Sequence, residues 1–353
     1  MKSRLLVFTL IFLLSATSIS AIRQPKNVIL LIGDGMGINQ MYAAMVQQGT
    51  PLAMNSMKDM GLVTTWSYNN FTTDSGAAGT ALATGVKTRN GMIGMGPDSV
   101  AVPNLTQLSQ QKGLAVGIVA SCAVTHATPG AFVSHSVSRN NVEEIAEGFI
   151  KTKPDVFIGG GLNHFSKRAD NRDLLLDLCK YEYTIAKTMQ ELKQVKKGKV
   201  AGLLYENHPP AYDKRGDFLP EATSVAINLL KKNKHGFFMM VEGSQIDWAG
   251  HSNDIAQIIG ETLDFDKAVA VALDFARKDG NTLVIVTADH ETGGLTLPQG
   301  NIHKKTVVAS FSTSNHSGEL VPVMACGPGS EQFRGFMDIT DIPKKIMELL
   351  NLK

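Results

Sequence analysis

Past the middle of the chain, Val241 to His251 (VEGSQIDWAGH) holds two carboxylates, Glu242 and Asp247, and an imidazole, His251. Thr287 to His290 (TADH) adds Asp289 and His290, and Asn315 to Gly318 (NHSG) adds His316. Carboxylates and imidazoles in this mixture suit divalent transition metals, and zinc best. Asp247 and His251 are four apart, so a helix or tight loop turns both towards one ion, and His316 completes an oxygen–nitrogen–nitrogen set. Three such donors with an open position form a catalytic zinc pattern. Asp34, in the turn Gly33-Asp34-Gly35-Met36-Gly37, joins Asp289 and His290 as a second set. Adjacent residues on an extended segment point apart, so Asp289 and His290 share an ion only across a bend, which Glu291-Thr292-Gly293-Gly294 can supply. Two ions about 4 Å apart clamp the attacking and leaving oxygens of an in-line phosphoryl displacement.

Ser75 opens a small-residue stretch, Asp74-Ser75-Gly76-Ala77-Ala78-Gly79, that reads as a helix capped by Asp74 or Thr73. A hydroxyl there sits at the positive end of the helix dipole, where a phosphate would also settle. No histidine adjoins Ser75 in sequence to act as base, so a metal is the natural means of stabilising its alkoxide. Arg139 offers a planar fork for two phosphate oxygens. Thr128, in His126-Ala127-Thr128-Pro129, offers a neutral oxygen to a hard ion such as magnesium. Glu242 at a strand end needs a partner if buried. Taken singly, each has a plain structural reading: a turn aspartate, a capping serine, a satisfied loop histidine. The glycines fail the G-x-G-x-x-G dinucleotide fingerprint.

These residues need elements that bring them together. Near-continuous apolar runs at 27–32, 115–120, 156–158, 236–241 and 282–287 read as buried parallel strands, and 321–325 as a weaker one that Pro322 favours at an edge. Helical patterns lie between, at 105–112, 142–152, 219–232, 254–279 and 342–350. This alternation predicts an α/β fold, a three-layer sandwich with a central, largely parallel sheet flanked by helices. Asp34, Glu242 and Asp289-His290 each follow a predicted strand, and ligands gather at the carboxyl ends of such strands. The polar stretch from about 162 to 215, with Lys193, Lys196, Lys197 and Lys199, reads as a lid-like excursion within one catalytic domain spanning 21–353.

Lys2 and Arg4, the apolar run Leu5 to Leu14 and the small residues through Ala21 make residues 1–20 a secretory signal peptide, too short for a membrane span. Its removal takes the formal charge from +2 to zero, which leaves no basic excess for nucleic acid. The mature chain is thus expected in the periplasm or outside the cell, free of the membrane. Hydrophobic content of 43% against 19% charged residues excludes wholesale disorder. Cys122, Cys179 and Cys326 are widely spaced and odd in number, and read as buried free thiols.

Together the ordered motifs resemble the alkaline phosphatases from about residue 24 to the C-terminus. The resemblance is carried by residues 33–37, 73–77, 126–129, Ser138-Arg139, 155–161, 241–251, 287–292 and 315–318. It implies that Ser75 is a nucleophile passing through a covalent phosphoserine. It implies a first zinc on Asp247, His251 and His316, and a second on Asp34, Asp289 and His290. A magnesium would sit on Thr128 and Glu242, with Asp34 bridging towards it, and Arg139 would bind the phosphate. His126 and Trp248 stand where some members have aspartate and lysine, a combination like that of some bacterial, cold-active members. Histidine lacks the negative charge that draws magnesium, and Trp248 offers one N–H donor but no cation. The implied activity is hydrolysis of small phosphate monoesters to alcohol and inorganic phosphate by a homodimer. A phosphodiesterase of the same superfamily is the nearest rival. A sulfatase would need x-Pro-x-Arg after its nucleophile, where this chain has Gly-Ala-Ala-Gly, and a phosphoglycerate mutase would need a larger inserted domain. A non-catalytic periplasmic protein holding metal or phosphate with the same ligands is the third reading.

Overall fold

Residues Asn27–Gly33 are buried at every position, as their unbroken apolar run requires. This strand, β1, has a parallel neighbour on each side and lies near the middle of a ten-stranded sheet. The computed structural model describes residues 23–352. The leader expected at 1–20 lies outside them. In chain order the further strands are β2 (Asp59–Thr64), β3 (Ala115–Ala123), β4 (Val156–Gly160), β5 (Tyr183–Ala186), β6 (Lys199–Tyr205), β7 (Phe237–Gly243) and β8 (Thr282–Thr287). The last six are β9 (Glu291–Thr292), β10 (Leu295–Asn301), β11 (Thr306–Phe311), β12 (His316–Ser317), β13 (Val321–Cys326) and β14 (Gly335–Asp338). The main sheet runs β14-β2-β13-β8-β1-β7-β3-β4-β6-β5. Every pairing in it is parallel except the two that β13 makes. With its flanking helices this is the expected three-layer α/β architecture.

Two expectations are corrected. Val321–Cys326 is no edge strand: β13 lies between β2 and β8. It tolerates Pro322 because its ladder with β8 begins only at Val323, and the Pro322 carbonyl accepts a bond from the Thr287 hydroxyl at 2.9 Å. The segment around 162–215 is not merely an excursion. It supplies β5 and β6, which extend the sheet at one edge. Its lysines mask strands whose inward positions, such as Val200, Ala201 and Leu203, are fully buried. Lys193, Lys196 and Lys197 lie on the helix Met189–Gln194 and the loop after it rather than on the strands, and charge is what an average over the segment registers.

The helix Ile255–Asp279 shows what fastens the outer parts to the core. Asp254 caps it through the amides of Ala256 and Gln257, and Glu261 and Asp264 on its buried face hold Arg215. Arg215 Nη2 lies 2.8 Å from Asp264 Oδ2 and also bonds to Glu261, and all three side chains are almost wholly excluded from water. The Pro210 carbonyl accepts from Arg215 Nη1 at 3.1 Å, so the pair also pins the loop after β6.

Removing one partner of such a buried pair leaves charge with neither water nor counter-ion. Arg215→Ala is expected to cost about 3–5 kcal/mol of unfolding free energy. Lys278→Ala, which breaks only an exposed pair with Asp274, should cost under about 1 kcal/mol. Urea denaturation of the two variants checks this; equal losses would show that the buried triad carries no special weight.

Candidate active site

The register of three central strands sets the site. Ile32 on β1 pairs with Glu242 on β7 and with Thr287 on β8, so Asp34, Glu242 and Asp289 emerge together at one end of the sheet. The turn after β1 tolerates only glycine at position 35. Gly35 has φ +74°, and a Cβ there would lie 2.7 Å from the Asp247 Cα and 2.8 Å from Thr292 Oγ1. Its amide donates to Asp289 Oδ1 at 3.1 Å.

The first expected ligand set is assembled. Asp247 and His251 face the same way from the helix Gln245–His251, and His316 arrives on β12, which pairs with β9. Asp247 Oδ1 lies 3.4 Å from His251 Nε2 and 3.3 Å from His316 Nε2, and the two imidazole nitrogens are 3.2 Å apart. A tetrahedral ion about 2.0–2.1 Å from each donor requires separations of roughly 3.3 Å. The remaining ring nitrogens are occupied: His251 Nδ1 contacts the Ser314 carbonyl at 2.7 Å and His316 Nδ1 the Thr73 carbonyl at 2.8 Å. An Nδ1–H donated to a carbonyl leaves Nε2 with its lone pair free for metal.

The second set, Asp34, Asp289 and His290, is wholly buried. His290 Nε2 lies 3.1 Å from Asp289 Oδ2 and 3.5 Å from Asp34 Oδ1. Asp289 Oδ1 accepts from the amides of Gly35 and His290, at 3.1 and 3.0 Å, while its Oδ2 and both oxygens of Asp34 have no hydrogen-bond partner. Buried carboxylate oxygens without donors fit cations.

Ser75 begins the helix Ser75–Thr84, and Asp74 caps it by accepting from Ala77 N. Ser75 Oγ lies 3.3 Å from His290 Nε2, which places the hydroxyl against the second cluster. Asp74 also accepts from Arg139 Nη1 at 3.0 Å, so the residue that caps the helix of Ser75 also aims the arginine.

A third group surrounds Glu242. Glu242 Oε1, Thr128 Oγ1 and His126 Nδ1 are buried without partners. The oxygens of Asp34, Thr128 and Glu242 suit magnesium, but the thiol and the imidazole beside them do not. Cys122 Sγ is 3.4 Å from Glu242 Oε2, and donor atoms of Cys122, His126 and Glu242 lie within 4.8 Å of one another. The His126 ring stands edge-on to Trp248 at 5.9 Å and to His208 at 5.6 Å.

The electrostatics follow from burial. Asp34, Glu242, Asp247 and Asp289 are 0–4% exposed. Burial, then the charges of Asp289, Asp247 and Glu242, lifts Asp34 well above the usual carboxylate range. Burial is also the chief cause that pushes Glu242 up to about 7. Asp247 is driven well below its ordinary value, since bonds from His251 and His316 overcome its burial. Its bond to His251 in turn raises that imidazole to about 9. His126 falls to about 3 through burial and then the charge of Arg139.

Several participants carried no sequence signal. Thr292 Oγ1 donates to Asp247 Oδ1 at 2.5 Å and approaches His290 Nδ1 at 3.3 Å, tying the two clusters. Buried Glu291 accepts from Gln40 Nε2 at 2.7 Å, from the amides of Gly294 and Leu295, and from Ser317, which secures β12 beside the site. Both were noticed only as parts of a bend. His208 lies in a polar stretch, and Cys122 within an apolar run. Of the three thiols expected to be buried, only Cys122 is; Cys179 is exposed and Cys326 half-buried.

Comparison with known proteins points to one family. The sequence model of the alkaline phosphatase family matches residues 25–310. Alkaline phosphatase 4 of Bacillus subtilis (strain 168) is 34% identical, over 99% of this chain and 97% of its own length. The solved alkaline phosphatase of the Antarctic bacterium TAB5 superposes with a TM-score of 0.90 at 41% identity, covering 94% of this chain and 99% of that one. A histidine-to-aspartate mutant of the TAB5 enzyme, with magnesium bound in its M3 site, gives a TM-score of 0.89 at 39% identity, with the same coverage.

Metal and protons compete for these buried acids, with a sign that can be read out. An acid whose folded pKa is raised favours the folded state only while protonated, so Glu242 and Asp34 cost stability as pH rises through their elevated values. His251, raised to about 9, contributes stability that is likewise lost as pH climbs through that value. His126, depressed to about 3, acts with the opposite sign up to the ordinary imidazole value of about 6.5, so the metal-free protein is expected to melt at falling temperature from about pH 6.5 to about pH 9, whereas zinc adds stability that grows with pH as the ligands shed protons. Calorimetry of chelated protein checks this, and a flat or rising Tm across that window would contradict the arrangement.

Proposed function

The chain belongs to the alkaline phosphatase family, whose members hydrolyse phosphate monoesters, and from that premise we propose that it works through a covalent phosphoserine at Ser75. The observation that carries this reading is the placement of Ser75 Oγ at a helix N-terminus, 3.3 Å from His290 Nε2 and so against the second of two metal-fitting clusters. The ligand sets are Asp247, His251 and His316 for one zinc, and Asp34, Asp289 and His290 for the other. Zinc bound there supplies the charge that makes a hydroxyl or a water acidic enough to attack at neutral or alkaline pH.

The chain's own groups do the rest. The helix Ser75–Thr84 points its N-terminal amides and dipole at an incoming phosphate. Arg139, aimed by Asp74, binds two non-bridging oxygens of the dianion. Ser75 Oγ loses its proton and attacks phosphorus, the P–O bond to the alcohol breaks, and the alcohol leaves with a proton. Water then attacks the phosphoserine on the same axis, which regenerates Ser75 Oγ and releases inorganic phosphate. The third site was expected to take magnesium on Thr128, Glu242 and Asp34. Their oxygens favour that ion, but Cys122 and His126 share the space and do not fit it.

The expected homodimer has a candidate face. Tyr42, Met60 and Phe336 are 45%, 57% and 76% exposed and, with Ile38, line an apolar groove beside β14. A second copy of this chain is the occupant proposed. The reading also includes export from the cytoplasm on the leader at 1–20. No helix of the described residues is long and apolar enough to cross a membrane.

Ser75→Ala is expected to lower kcat/KM on a chromogenic monoester by about 10³-fold or more, an effect of about 4 kcal/mol. Arg139→Ala removes a bidentate charged contact and should cost about 10- to 100-fold. Chelation should abolish activity and zinc restore it. Hydrolysis that survives in Ser75→Ala would rule out the phosphoserine route, and faster turnover of a diester than a monoester would favour the phosphodiesterase reading. Light scattering should give two chains per particle, and one chain per particle after Phe336→Asp; a monomeric parent protein would remove the dimer from this reading.

A further inference from the structure

Cys122 is a buried thiol that the proposed chemistry leaves unused. It is wholly excluded from solvent at the end of β3, on the strand next to the one that bears Glu242. Its Sγ lies 3.4 Å from Glu242 Oε2. Donor atoms of Cys122, His126 and Glu242 converge within 4.8 Å. Two of those residues also carry unmet bonding capacity, since Glu242 Oε1 and His126 Nδ1 are buried without a hydrogen-bond partner.

We infer that Cys122 is a metal ligand, and that with His126 and Glu242 it makes the third cation site a sulfur–nitrogen–oxygen site that selects zinc over magnesium. Magnesium demands near-ideal octahedral oxygen coordination and gives up its waters reluctantly. A thiolate and an imidazole offer it little, whereas both are ordinary zinc ligands and soft donors favour that ion. As the sulfur–metal bond forms, the thiol proton leaves to solvent, so the charge of the incoming ion is balanced by one thiolate and the Glu242 carboxylate. The inference extends the metal-site reading above to the thiol, which neither ligand set in that reading includes.

Cobalt(II) provides a readout separate from turnover, because a thiolate ligand gives it an intense near-ultraviolet sulfur-to-metal charge-transfer band. Chelated protein is titrated with cobalt, and then with zinc and magnesium in competition while bound metal is counted. The wild-type chain should show the band as the third equivalent binds, and zinc should hold that equivalent against a hundredfold excess of magnesium. Cys122→Ser should lose the band, keep the first two equivalents and lose at least tenfold of its zinc preference at the third. The double variant Cys179→Ser/Cys326→Ser, which leaves Cys122 as the only thiol, should keep the band. It makes the test independent of whether Cys122→Ser folds. Binding of a third cobalt without the band in the wild-type or double-variant chain, or displacement of the third zinc by equimolar magnesium, would overturn the inference. If the two-zinc reading itself were wrong, fewer than two equivalents would bind in every form, a result distinct from losing only the third.

Discussion

Four carboxylates, on Asp34, Glu242, Asp247 and Asp289, are packed out of water at one end of a parallel sheet with a single nearby guanidinium. That excess of buried negative charge is the constraint on which the rest depends. Left alone, such charges take up protons or force the structure apart. The raised values of Asp34 and Glu242 show the first response already under way. Divalent cations are the other response, and the orphaned oxygens around the turn after β1 are shaped for them.

The scaffold is rigid where the charge is concentrated. β1, β7 and β8 are buried along their whole length, so the repelling carboxylates are held at strand ends that cannot drift apart without opening the core. Backbone groups occupy one polar atom of each of these ligand side chains and leave another free for a cation. Two amides take Asp289 Oδ1 and leave Oδ2; carbonyls take Nδ1 of His251 and His316 and leave Nε2. Thr292 joins the clusters, so a shift in one is felt by the other. This preorganisation separates a site from a mere collection of ligands.

The legible part of the molecule was the part where one physical demand dominates. Buried parallel strands must be apolar throughout, so β1, β3, β4, β7 and β8 announced themselves, and long amphipathic helices such as Ile255–Asp279 did too. Metal ligands are also chemically distinctive, and the structure brings together both proposed zinc sets. What was missed answers to several demands at once. β5 and β6 are short strands flanked by the charged helix Met189–Gln194 and its loop, and β2 alternates between buried and exposed residues. Pro322 misled because its permissibility depends on where a neighbour's ladder begins. Glu291, Thr292, His208 and Cys122 act through positions that only the fold confers, and no spacing in the chain encodes them.

Metal binding also reaches beyond the centre. The first cluster joins the helix Gln245–His251, which follows a central strand, to β12, a two-residue strand outside the main sheet that pairs only with β9. β12 has little packing of its own; its positions are half-buried. Apart from that pairing it is held by the Ser317 hydroxyl bond to Glu291, the His316 bond to Thr73, and the shared ion expected between His316, His251 and Asp247. An element stabilised by few contacts opens at low free-energy cost. Occupation of the first cluster thus couples the outer segment to the core. Loading the site and ordering its rim then become one linked equilibrium, in which the ion supplies the cohesion that two residues of strand cannot.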